Sequence, residues 1–242
     1  MNRPQSNPFI RTEMLLGTDG MAALRNSRVT VFGIGGVGSY VVEALARAGI
    51  GHLTLIDHDT IAESNINRQI HADIDTLGML KTEAMQARIA RINPQAIVHT
   101  IPAYAAPEDL PTLLAGQPDY VVDAIDAVTT KIALAVYCHE VNIPIISSMG
   151  TANKLHPESI RLADLSETTV CPLARVMRTE LRKRGVLHLP VCYSTESARK
   201  PLPLDIDPTT QKQPLGSVSF MPSAAGLMIA GKVVRDLCHI YD

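Results

Sequence analysis

The chain has 242 residues, 46% of them hydrophobic and 19% charged, with a formal net charge of −2. This suits one large α/β domain, or one domain with an appendage, and offers enough material for a substantial core. The mild acidity argues against a uniformly basic nucleic-acid coat, and the polar run after Met1 argues against a secretory leader.

Tryptophan is absent and aromatics make up 4%, so packing falls to Ala, Val, Ile and Leu, as in a parallel sheet covered on both faces. The longest uncharged stretch, from Gln213 to Gly231, holds Pro214, Pro222 and three glycines. It reads as buried strand and helix rather than a membrane span. The four cysteines, Cys138, Cys171, Cys192 and Cys238, lie far apart. That spacing predicts neither a disulfide framework nor a zinc site, and a reducing cytoplasm is expected.

Charge is uneven along the chain. Residues 171–200 hold seven basic side chains against two acidic ones, a net of +5, which leaves −7 on the remainder. Such a split points to local contact with a polyanion.

In chain order, Val29 to Phe32 predicts a first strand that ends in the turn Gly33-Ile34-Gly35-Gly36-Val37-Gly38. Ser39 to Ala48 reads as a helix stopped by Gly49, and Leu53 to Ile56 as a strand ending at Asp57. Lys81 to Ile92 has helical periodicity up to Asn93-Pro94. Ala96 to Ile101 and Tyr120 to Ile125 predict further strands, followed by a helix over Ala127 to Asn142 and a strand over Ile143 to Ser147. This alternation predicts a Rossmann-like, doubly wound, mainly parallel sheet. Beyond Gly150 the pattern weakens: a strand over Ser159 to Leu162, a helix over Pro172 to Gly185, a loop over Pro201 to Gln213 and a helix over Ala224 to Cys238. The expected division is a nucleotide-binding domain with an N-terminal arm over 1–155 and a smaller α+β extension over 156–242, packed on the same domain.

The glycine turn contains Gly-x-Gly-x-x-Gly at Gly33, Gly35 and Gly38, with Gly36 added. Missing side chains let backbone approach a phosphate at the next helix's N-terminus. Asp57, ending the second strand, suits ribose hydroxyls. Both NAD and ATP fit so far. Ser64-Asn65-Ile66-Asn67-Arg68-Gln69 and Lys81 then add an arginine fork and a point charge, which suit a triphosphate or a leaving pyrophosphate. Solvent exposure of Lys81, or pairing of Arg68 with Asp73 or Asp75, is the bland alternative. Asp123 and Asp126 fall at the C-terminal end of the fourth strand. Asp126 suits Mg²⁺ on the phosphates, or an N-cap for the helix after it.

Together, the glycine turn, Asp57-His58-Asp59, the 64–69 segment, Lys81 and Asp123-Ala124-Ile125-Asp126 resemble the ThiF/MoeB/ubiquitin-activating family of adenylating enzymes. The resemblance implies ATP or metal contacts at Asp57, Asn65, Arg68, Lys81 and Asp126, with Asp59, Asn67 and Gln69 in the same motif blocks. It also implies a homodimer in which Arg11 reaches the partner subunit's phosphates. The paired Cys-x-x-Cys motifs of the sulfur-carrier activators are missing. Ser147 to Leu155, Cys171 to Arg178 and Tyr193 to Glu196 instead resemble the tRNA threonylcarbamoyladenosine dehydratases. That group implies a tRNA substrate, ATP and Mg²⁺ with room for a monovalent cation, and in some relatives a cysteine desulfurase partner. Arg175, Arg178, Arg182, Lys183 and Arg184 then become candidates for gripping tRNA phosphates. Adenylation of a ubiquitin-like sulfur carrier, with Cys171 or Cys192 drafted as the thiol, and NAD-dependent oxidoreduction are the alternative readings.

Overall fold

A computed structural model describes residues 7–204 and 215–240; most of the loop expected over Pro201 to Gln213 lies outside them. Five β-branched or leucine-rich strands and two added by the C-terminal part form one seven-stranded sheet. The strands are β1 (Arg28–Phe32), β2 (His52–Ile56), β3 (Ile97–Ile101), β4 (Tyr120–Asp123), β5 (Ile145–Ser148), β6 (Ile160–Asp164) and β7 (Pro190–Ser194). Their order is β3-β2-β1-β4-β5-β7-β6, parallel throughout except where β6 runs antiparallel to β7. The switch in strand order between β1 and β4 opens the crevice where such sheets bind ligands.

Period-two alternation divides the strand side chains between two cores. Val29, Val31, Tyr120, Val122 and Ile146 face one cluster, while Phe32, Val121, Ile145 and Val191 face the other. Helices α2 (Gly38–Ala48), α3 (Lys81–Ile92) and α7 (Phe220–Leu237) cover the first core. The short α4 (Leu110–Leu113), α5 (Val128–Glu140) and α6 (Pro172–Arg182) cover the second. Between α2 and α3, the nearly buried Glu43 is bridged by Arg47 and Arg88 at 2.8 and 2.7 Å. Burial would raise its carboxyl, but the two guanidiniums outweigh that and hold it below the usual range.

Several boundaries differ from the sequence expectation for local reasons. Helix α1 (Ile10–Asn26) was not anticipated; it is interrupted at Gly17, where φ is 70° and ψ 175°, so its apolar spacing is broken in two. Strand β7 was hidden because β-branched content is low over Pro190 to Ser194. Strand β4 stops at Asp123 rather than Ile125, because the Asp123 carboxylate accepts the Ile125 N–H at 3.1 Å and turns the chain. Helix α7 begins at Phe220, with Pro222 accommodated in its first turn.

Helix α7 lies so close to α2 that a Cβ at Gly226 would sit 2.6 Å from the Val37 carbonyl oxygen. At Gly231 the nearest atom would be the end of Arg235, at 3.6 Å. Gly226→Ala should therefore destabilise by about 1–3 kcal/mol through overpacking. Gly231→Ala should stabilise by up to about 1 kcal/mol through helix propensity. Urea denaturation of both variants checks the contrast.

Candidate functional site

The glycine turn leaves β1 at Gly33, whose φ of +84° suits a residue without a side chain. A Cβ there would meet the Ala124 carbonyl oxygen at 2.6 Å, so the turn lies directly against the residues that follow β4. Above it opens a cavity of ≈ 630 Å³. A Cβ at Gly35 would meet nothing within 4 Å, which leaves that backbone open to a ligand. Gly38 does not line the cavity; its missing Cβ makes room for the Gly33 carbonyl.

Asp57 is oriented before any ligand arrives. One oxygen accepts the Ile34 N–H at 2.6 Å and the other the Asp59 N–H at 2.9 Å. Asn65 is buried and accepts the Ala62 N–H at 3.1 Å. Arg68 lines the cavity and pairs with neither Asp73 nor Asp75. Its Nη1 donates to the Ser64 carbonyl at 2.7 Å and to Asn67 Oδ1 at 2.9 Å. Asn67 is thus a brace: its own amide donates to the Ser217 carbonyl at 3.0 Å, and it does not line the cavity. Lys81 is not a solvated helix residue. It is 6% exposed, and its Nζ lies 2.5 Å from Asp59 Oδ2.

Gln69 lines the same cavity, and its buried Oε1 has no hydrogen-bond partner among the described residues. An orphaned acceptor of this kind is costly unless a ligand or water fills it. The open backbone at Gly35 and the volume of the cavity leave room for a polar, nucleotide-sized ligand. Asp126 is exposed at the cavity edge. It is not the N-cap of α5, which begins at Val128 with Ala127 in the cap position. Asp57, His58 and Asp59 bring three potential metal-ligand atoms within 4.8 Å of one another, although Lys81 already occupies Asp59.

Arg11 is exposed on α1 and does not line the cavity of its own chain. The five basic residues of the α6 region fare differently from one another. Arg178 is half-buried and braces Thr168 and the Leu165 carbonyl through Nη1. Lys183 and Arg184 both pair with Glu180 at 2.7 Å. Arg175 and Arg182 are exposed and make no ion pair or side-chain hydrogen bond among the described residues.

Further contributors include Asn153, Lys154 and His58, which fall inside the motif blocks named above without a role of their own, and Tyr104, which falls outside them. Asn153, at φ 58°, exchanges hydrogen bonds with Gly216 at 2.7 and 2.8 Å and accepts the Arg199 N–H. It thereby anchors Leu215 and Ser217 beside the cavity. Lys154 is 5% exposed and donates to the Gly150 carbonyl at 2.8 Å, bracing the cavity segment 150–152. His58 and Tyr104 meet edge to face at the rim, with ring centroids 5.3 Å apart. Only a left-handed Asn and its motif neighbours could have hinted at the first of these. Cys192 is fully buried, and burial pushes its thiol up to about 12, so it offers no ready thiolate; Cys171 is also buried. Among the described residues, no helix is long and apolar enough to cross a membrane.

A larger groove, ≈ 890 Å³, lies at the opposite ends of the strands, lined by Tyr120, His139 and His188 among others. The convergence of glycine turn, carboxylates and cations marks the smaller cavity as the chemical one.

The ThiF family model matches residues 10–240. The tRNA threonylcarbamoyladenosine dehydratase of Bacillus subtilis is 42% identical over 238 residues, covering 95% of this chain and 94% of that relative. The chain belongs to the ThiF family. The dehydratase of Haemophilus influenzae is 48% identical over 165 residues, 68% of this chain and 63% of its own. The crystal structure of the E. coli tRNA N6-threonylcarbamoyladenosine dehydratase in complex with ATP superposes with a TM-score of 0.87 at 32% identity. It covers 96% of this chain and 94% of that one.

Buried His71, 3% exposed, has no hydrogen-bond partner at either ring nitrogen among the described residues. Burial first, then the charges of Lys81 and Arg88, lower its imidazole to about 4. As pH falls through about 6.5, the unfolded chain takes up a proton that the folded chain refuses until about pH 4. Stability should therefore drop across that window by up to about 3 kcal/mol. In His71→Leu this contribution disappears, so urea titrations from pH 7 to pH 4 should show a shallower loss than in the wild type.

Proposed function

We infer that the chain is an ATP-dependent dehydratase that cyclises N6-threonylcarbamoyladenosine in tRNA. The observation that carries this reading is the near-complete length of its likeness to the dehydratases. That likeness runs past the nucleotide motifs into Gly150 to Ala152 and Leu173, which line the same cavity.

A carboxylate is a poor acyl donor because oxide leaves badly. Attack by the threonyl carboxylate on the α-phosphate of ATP forms an acyl-adenylate and releases pyrophosphate. A nitrogen of the same modified nucleoside then attacks the acyl carbon, and AMP leaves. Water is lost overall, its oxygen carried away on AMP. The nucleophile belongs to the substrate, so no cysteine is required.

The chain's residues bind, orient and balance charge. Gly33, Gly35 and Gly36 admit the nucleotide, and preoriented Asp57 receives the ribose hydroxyls. The guanidinium of Arg68, steadied through Nη1, keeps its other N–H groups for phosphate. Lys81 starts paired with Asp59 and shares its charge with the phosphates on binding. Gln69 and Asn65 supply amides. Asp126 would hold Mg²⁺, which offsets phosphate charge; a monovalent cation has no assigned ligand set.

The tRNA grip centres on Arg175 and Arg182, which have no side-chain partner among the described residues. We further propose a homodimer that brings Arg11 to the partner's cavity. Exposed Met14 and Leu15 on the same helix, 70% and 87% accessible, support an apolar contact there. Action beside a cysteine desulfurase system rests on the resemblance alone. A cytoplasmic location accords with four free cysteines.

Incubation with ATP, Mg²⁺ and tRNA bearing the modified adenosine should remove one water from that nucleoside, seen by mass spectrometry, with AMP formed alongside. An unchanged mass, with pyrophosphate exchange driven by a carrier protein's C-terminus, would instead favour the sulfur-carrier reading. Arg68→Ala should lower kcat about 10²–10³-fold, as for other preorganised charge-stabilising donors. Arg175→Ala with Arg182→Ala should weaken tRNA binding and flatten its dependence on salt, measured by filter binding.

A further inference from the structure

A buried ionic network beneath the cavity takes no part in the chemistry described above. Asp123, Lys131 and Ser147 are each 0% exposed. Lys131 comes from the first turn of α5, and its Nζ lies 2.8 Å from Asp123 Oδ2. That is close enough for an ion pair but off the axis of a hydrogen bond. The Ser147 hydroxyl donates to the same oxygen at 2.5 Å, and Asp123 Oδ1 accepts the Ile125 N–H.

Two charges with no access to water are an expensive way to stabilise a fold, and apolar replacements are often neutral or better. The position of this pair gives it another use. Asp123 and Ser147 are register partners across β4 and β5. The residues after each of them line the cavity: Ala124, Ile125 and Asp126 on one side, Ser148 to Ala152 on the other. One carboxylate thus governs how both segments leave the sheet. The same turn presses Ala124 against Gly33, linking the network to the glycine turn.

We propose that Lys131, Asp123 and Ser147 form a positioning device for adenylation. They hold Asp126 and the 148–152 segment where ATP, its metal and the substrate carboxylate can be aligned. Lys131 and Ser147 act through other groups and are positioning residues. The proposal rests on the reading of Asp126 as a magnesium ligand.

The test compares full-length Ser147→Ala, the charge-neutral double variant Asp123→Asn/Lys131→Met, and Asp126→Asn. Each is assayed for thermal unfolding, for kcat and KM, and for calorimetric affinity toward a non-hydrolysable ATP analogue with and without Mg²⁺. The expected result is that folded Ser147→Ala loses on the order of 10- to 100-fold in kcat, as for a small misplacement of reacting groups. Its KM for ATP should rise by no more than the Mg²⁺-dependent gain in affinity that it loses. Like Asp126→Asn, it should lose the Mg²⁺-dependent gain in analogue affinity. The double variant should do the same, even if its melting temperature is unchanged. Wild-type kcat and Mg²⁺ gain in both network variants, alongside loss of that gain in Asp126→Asn, would reduce the network to packing. Retention of the gain in Asp126→Asn would overturn the Asp126 reading, and the proposal with it.

Discussion

The backbone after β1 must lie against the backbone after β4 with no side chain between them. A Cβ at Gly33 would enter the Ala124 carbonyl, and one at Gly38 would enter the Gly33 carbonyl. This contact closes the base of the crevice at the switch in strand order and leaves its upper side open at Gly35. It also sets the direction in which α2 leaves the turn, and α2 in turn sets the seat of α7, which touches Val37 and Tyr40 through Gly226. A helix more than 180 residues downstream therefore closes a site begun at residue 33, with Pro222 and Ser217 on the cavity wall.

Charge within the site is held in reserve. Lys81 lies against Asp59, Arg68 against a carbonyl and an amide, and Lys131 against Asp123. Side chains paired in this way keep fixed positions without a ligand, and a preorganised site spends little on reorganisation when negative charge arrives. Full exposure would leave the same cations hydrated and mobile; full burial without partners would neutralise or expel them. Of the three, Lys81 and Arg68 line the cavity, where an arriving phosphate could compete for them, while Lys131 stays buried beneath it. His71 gives the counterexample: behind Lys81 and without a partner, it stays neutral because burial and neighbouring cations oppose its charge.

The basic segment over 171–200 carries a similar lesson about counting charges. Five cations were candidates for a polyanion grip, yet Glu180 takes two and the Leu165 to Thr168 turn takes Arg178. Surface pairs of this kind contribute little stability, but they lower the field that a polyanion meets. Among the described residues only Arg175 and Arg182 of the five keep no side-chain partner; seven residues apart, they lie on one face of α6.

The strand–turn–helix signal at 29–48, the aspartate closing β2, and the periodic helix from Lys81 were legible from sequence because each is local. Residue type and spacing over ten to fifteen positions suffice for a glycine turn or an amphipathic helix. The doubly wound class followed from their alternation. Tertiary structure decided what depends on distant partners. It seated β7 between β5 and β6, started α7 at Phe220, and left Asn67 and Gly38 off the cavity wall. It also buried Lys131 against Asp123 and spent Arg178 on a turn. No window of sequence shows that a lysine eight residues past an aspartate is dry, or that a serine 24 residues on shares its oxygen. Those facts arise only when β4, β5 and α5 pack together and exclude water from between them.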